Sequence, residues 1–104
     1  MQPTPIIGIQ LRRAVLGTLL SAGRPLTANE IVGALHARGV TTGDWLTKGP
    51  SRVIGDLLAY QVRIGRVVKT GPGTFRAVPG SMSRSTRWRC LHWEQLLDSD
   101  VRKR

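Results

Sequence analysis

Apolar positions recur at helical spacing in four stretches of the chain and at strand spacing in one. Residues 6–22 are the first helical stretch, with Ile9, Leu16, Leu19 and Leu20 sharing one side and Arg12 and Arg13 facing outward. Gly23 is a natural stop, and Arg24-Pro25 continues the turn. Thr27-Ala28-Asn29-Glu30 has the pattern of a capping box, with Leu26 and Ile31 at staple spacing around it. The second helix then runs to about Arg38, with Ile31, Val32 and Leu35 inward and Gly39 after it. Residues 40–50 hold two glycines and a proline and predict a loop. Within it, Val40 to Thr42 suit a short strand beside a hairpin, and Trp45-Leu46 suit a pin to the core.

Ser51 is the expected cap of a third helix reaching about Ile64, with Gly65 ending it. Val53, Leu57, Tyr60 and Ile64 form its expected inner stripe, flanked by Ile54 and Leu58. Two short strands follow, Arg66 to Lys69 and Phe75 to Val78, joined by Thr70-Gly71-Pro72-Gly73-Thr74. Residues 80–87 predict a polar linker. Trp88, Leu91, Trp93, Leu96 and Leu97 then predict a last helix before a basic tail. Residues 1–9 form an expected N-terminal arm, 10–80 one domain, and 81–104 the linker, helix and tail.

Charge narrows the function. Lys and Arg number 16 against 6 Asp and Glu, a formal net charge of +10. A polyanion is the natural partner, because each cation that neutralises a nucleic-acid phosphate releases a condensed counterion. Arginine supplies 13 of those cations. Its planar fork can engage phosphate or guanine bidentately, which lysine cannot do. A GC-rich coding sequence would produce the same bias.

The third helix and the hairpin carry the candidate contacts. Arg52, Gly55, Ala59 and Arg63 lie opposite the inner stripe, with Asp56 at the edge. Gly55 and Ala59 leave that face free of bulk, as entry into a major groove requires. Tight packing of two helices is the alternative for those small residues. Arg52 and Arg63 can reach bases or phosphates. Ser51 stands where helix N–H groups favour an anion, and Lys48 just ahead of it suits a positioning contact. Asp56 is read as the partner of Arg52 at i, i+4 spacing. In the hairpin, Lys69 and Arg76 project beside a tip of Thr70, Gly71, Gly73 and Thr74, whose backbone N–H groups suit phosphate. An ordinary solvated edge, protected by its charges from aggregation, is the plainer reading.

The segments RPLTANEIVGAL, SRVIGDLLAYQVRIGRVVKT and GPGTFRAV, taken in order, resemble the winged helix-turn-helix family of bacterial transcription regulators. The resemblance covers residues 10–79. The long residues 40–50 depart from the short connection of a tight helix-turn-helix. The resemblance implies a mainly α fold with a β-hairpin wing (α+β), a three-helix core and a C-terminal helix. It also implies double-stranded DNA as the partner, with the third helix in the major groove and the wing on the backbone. It further suggests a homodimer through the terminal helix, with Trp88, Leu91, Trp93, Leu96 and Leu97 as candidate contacts. Fold alone does not decide function. An architectural DNA-binding protein of low sequence preference, a protein-interaction winged helix using the tryptophans, and an RNA-binding role stay open.

Little in the sequence points to catalysis, and none of its spacings suggests a cofactor or metal. His36, His92, Glu94 and Cys90 make no triad or ligand pattern. Cys90 beside Arg87 and Arg89 can be read as a sensor thiol, but a buried inert thiol is the preferred reading. No apolar run reaches the roughly 18 residues of a membrane span, and the N-terminus lacks a signal-peptide pattern. A cytoplasmic, nucleoid-associated location is the expectation.

Overall fold

The computed structural model describes residues 3–43 and 48–102, with residues 98–102 described by backbone alone. Trp45-Leu46 and the side chains of the basic tail lie outside that description. The architecture is α+β. Helix α1 (Gly8–Ala22) runs through the centre and buries Leu11, Ala14, Val15, Leu16, Gly17 and Leu19. Helix α2 (Ala28–Ala37) and helix α3 (Pro50–Arg63) pack together, with α2 also against α1. Two short helices, α4 (Arg84–Leu91) and α5 (Trp93–Arg102), close the other side of α1. Ile31, Leu35, Ile54, Leu58, Leu16 and Leu19 are among the core side chains almost wholly removed from water.

Among the described residues, five strands form two small sheets. Strand β2 (Leu26–Thr27) lies between α1 and α2 in sequence. It pairs antiparallel with β5 (Thr74–Ala77), which pairs antiparallel with β4 (Val67–Gly71), giving the order β2-β5-β4. Strand β4 runs two residues further and β5 begins one residue earlier than the sequence predicts, so the turn contracts to Pro72-Gly73. Proline presets one turn residue, and Gly73 takes φ 69, the residue pattern of a type II turn. The second sheet is a parallel pair, β1 (Thr4–Ile6) with β3 (Val40–Thr42). The expected loose arm is therefore ordered from Thr4, and Val40 to Thr42 form a strand beside the N-terminus, not beside the hairpin. Ile6 supplies the cause: it is 3% exposed, so the segment is anchored by apolar burial as well as by backbone pairing.

Four other expectations shift. Ile9 is 49% exposed, whereas Leu11 and Val15 take its place in the core. The interior of α3 is centred on Ile54, Leu58 and Gln61, about one residue (roughly 100°) from the expected stripe. Tyr60 and Ile64 are exposed accordingly. The polar stretch 80–87 is not a linker, since a 3-10 turn (Pro79–Ser81) leads into α4, capped by Ser83. The terminal helix divides at His92, where Nδ1 donates to the Trp88 carbonyl at 2.8 Å and the ring stacks on Trp88.

The capping box forms as the sequence predicts. Thr27 Oγ1 accepts from the Glu30 N–H at 3.1 Å, and Glu30 Oε1 accepts from the Thr27 N–H at 3.0 Å. Thr27→Ala is expected to destabilise the fold by about 1 kcal/mol, read as a fall in melting temperature of roughly 4–8 °C. The Thr27 N–H also holds the Glu30 carboxyl below its ordinary value of 4.5, with desolvation opposing and Arg24 assisting. A depressed carboxyl stabilises the folded state above its unfolded pKa and loses that contribution as pH falls through the folded one. Glu30→Gln is expected to flatten the acid limb of the stability profile below about pH 4.5.

Candidate nucleic-acid interface

The outward face of α3 follows from its buried one. Opposite Ile54, Leu58 and Gln61 stand Arg52, Asp56, Ala59 and Arg63, all exposed. Gly55 occupies one flank and Tyr60 the other. A Cβ built on Gly55 meets nothing within 4 Å, so this glycine does not serve packing between helices. The face is cationic at both ends with Asp56 and Ala59 between, so Asp56 and Gly55 exchange the places expected from the sequence, Asp56 on the face and Gly55 at its edge. Tyr60 is the member that sequence reasoning assigned to the core. It is 52% exposed and lies under the Arg63 guanidinium, 5.8 Å from ring centroid to Cζ. The contact is a cation–π pair that steadies Arg63 near the end of the helix.

Asp56 pairs with Lys48 at 3.3 Å and not with Arg52. Both side chains are about half exposed, so the pair contributes little stability. It occupies Lys48, which the sequence assigned to a positioning contact. Arg52 and Arg63 take part in none of the ion pairs among the described residues. Ser51 also has another duty. The cap lies two residues earlier, at Gly49 with Pro50 at N1, and the Ser51 hydroxyl donates to Asn29 Oδ1. That bond ties the start of α3 to the start of α2. The Arg52 and Val53 N–H groups both bond the Gly49 carbonyl, at 3.0 and 3.2 Å. Pro50 has no N–H, so the helix start offers fewer free donors to an anion than the sequence suggests.

The hairpin is fixed directly to the end of α3. The Arg66 N–H donates to the Gln61 carbonyl at 3.0 Å, and the Arg66 carbonyl accepts from the Val78 N–H at 2.9 Å. Register places Lys69 opposite Phe75 and Val68 opposite Arg76. Paired residues share a face and neighbours alternate, so Lys69 and Arg76 lie on opposite faces of the hairpin. Both are exposed. Of the tip residues, Gly71 and Thr74 pair with each other, and the Thr70 and Thr74 hydroxyls lie 3.1 Å apart. Between them only Gly73 offers a turn N–H. Strands β2 and β4 are the edges of this sheet, and β5 is its centre.

The remaining candidates separate. Trp93 is 7% exposed and Leu97 packs against the same core, so these two serve their own chain. Leu96 is half-buried. Trp88 and Leu91, at 50% and 48%, are the exposed members of the set. His36 Nε2 lies 3.1 Å from the Thr41 hydroxyl, and Glu94 pairs with Arg38. Cys90 is buried, and burial pushes its thiol pKa up. Among the described residues, no group of three His, Cys, Asp or Glu side chains stands together as a metal site. No described helix is long and apolar enough to cross a membrane.

Comparison with protein-family models, curated proteins and solved structures finds no match to this chain. The functional reading therefore stands on the geometry above.

Proposed function

We propose that this protein is a winged helix-turn-helix DNA-binding protein that regulates transcription, with α3 in the major groove and the β4–β5 hairpin as its wing. The observation that carries the reading is the outward face of α3, where Arg52 and Arg63 stand at the two ends, Ala59 is small between them, Asp56 is paired with Lys48, and Gly55 leaves one flank open. The order α1, β2, α2, α3, β4, β5 and the pairing β2-β5-β4 support it, because they set a hairpin at the end of the exposed helix. So does the charge of +10. Lys69 and Arg76 on opposite faces favour a hairpin that enters a groove tip first, since each face then meets one wall. The role proposed is binding, not catalysis.

The test is fluorescence anisotropy with two labelled duplexes of equal length, one from upstream of the protein's own gene and one shuffled, across a range of salt. Sequence-reading regulation predicts tighter binding to the upstream duplex by about 10³-fold or more. Affinity for both should fall steeply with salt, in proportion to the phosphates neutralised. Equal affinity for the two duplexes would assign an architectural role. Absence of binding at low salt would contradict the DNA reading.

A further inference from the structure

Four arginines from three separate parts of the chain surround one small cavity. Arg12 and Arg13 come from α1, Arg66 from the root of the hairpin and Arg89 from α4, with Thr86 and Cys90 completing the polar lining. Its volume is about 50 Å³, several times the ~10–15 Å³ that one water needs. Arg12, Arg13 and Arg66 are half-buried. No carboxylate lines the cavity, and none of the four arginines joins an ion pair among the described residues.

Four like charges held around one space repel one another, and an anion between them relieves that repulsion. The thiol does not supply the missing charge. Burial raises the Cys90 pKa above 9.0, so sulfur is neutral near pH 7, although Arg12, Arg66 and Arg13 act in the opposite direction. Thr86 Oγ1 accepts from the Ser83 hydroxyl at 2.9 Å, which leaves its own proton to donate. Guanidinium forks with a hydroxyl donor match the oxygens of a phosphate group.

We infer that the cavity bounded by Arg12, Arg13, Arg66 and Arg89 binds a phosphate group, carried by a small molecule or by a nucleic-acid backbone. The site lies off the outward face of α3 and the inference stands whether or not that face reads duplex DNA. Arg66 gives the site a further consequence. Its backbone joins α3 to β5 through the bonds to Gln61 and Val78, so a bound anion braces the joint between helix and hairpin.

The test is calorimetric titration of the full chain with inorganic phosphate at constant ionic strength, with chloride as the matched control. Alkylation of Cys90, the single cysteine, is followed in parallel. Saturable phosphate binding and a several-fold slower alkylation are expected, because the anion screens the thiol and opposes thiolate formation. Arg12→Gln with Arg89→Gln should weaken phosphate binding at least 10-fold, while Arg24→Gln, whose arginine pairs with Glu30 elsewhere, should not. Repeating the titration with saturating duplex separates the two sources. Lost phosphate binding assigns the site to a backbone phosphate, and undiminished binding assigns it to a free phosphate-bearing molecule. Phosphate heats equal to those of chloride together with unchanged alkylation would overturn the proposal, and so would undiminished binding in a folded double variant.

Discussion

Replacing Arg52 and Arg63 together by alanine is expected to weaken duplex binding at least 30-fold and to leave the melting temperature nearly unchanged. The estimate takes the lower bound of about 1 kcal/mol for each arginine contact to base or phosphate. Two such contacts make about 2 kcal/mol, or roughly 30-fold. Stability should barely move, because both side chains are exposed and neither joins an ion pair among the described residues. The two arginines also predict different signatures. Arg52 stands at the start of the outward face. Arg63 lies at its far end and is steadied by Tyr60. Tyr60→Ala should therefore reproduce part of the Arg63→Ala loss without changing the net charge. Anisotropy titrations of the two single variants, the double variant and Tyr60→Ala check this directly. A double variant that binds like the parent would remove α3 from the interface.

The second large effect concerns stability, and it contrasts two glycines within helices. Gly17→Ala is expected to destabilise by about 3 kcal/mol or more, at the upper end of overpacking costs. A Cβ at Gly17 would stand 2.1 Å from the Cys90 carbonyl oxygen and 2.9 Å from both the Cys90 carbonyl carbon and Trp93 Cδ1. The obstacle is mainly backbone, so no rotamer change relieves it, and α4 must shift away from α1. Gly55→Ala is the opposite case. Its Cβ enters open space, and alanine in a helix interior is favoured over glycine by about 1 kcal/mol. Thermal unfolding should show a fall of about 12 °C or more for Gly17→Ala and a rise of a few degrees for Gly55→Ala. If Gly17→Ala melts like the parent, the close approach of α1 to α4 is wrong.

The elements that were legible in the sequence are those fixed by neighbouring residues. Thr27 and Glu30 specify their capping box within one turn. Gly39 and Gly65 take positive φ where chain reversals require it, at 79° and 83°. Arg52, Ala59 and Arg63 were legible as outward residues, but Gly55, which lies on a flank, and Asp56, which lies on the face, exchange the places expected of them. The exact rotation of α3 was not legible. Gln61, outside the expected inner stripe, is 1% exposed with its Oε1 unpartnered among the described residues, whereas Tyr60 reads as core and lies outside. Tertiary packing decided between them. The β1–β3 pair joins residues far apart in sequence, and no local pattern announces it. The closeness of Gly17 to Cys90 is likewise a contact between distant segments. Along the hairpin, alternation was legible, but the register that separates Lys69 from Arg76 depends on how short the turn is.

The most direct test of the central claim is a titration of ¹⁵N-labelled protein with a short duplex, followed by amide shifts. Binding through α3 and the wing predicts perturbations concentrated between residues 48 and 63 and at the hairpin from Lys69 to Arg76. Amides of Trp88 and Leu91, on the exposed part of α4, should move little. Perturbations centred on α4, with α3 and the hairpin silent, would contradict the proposed interface.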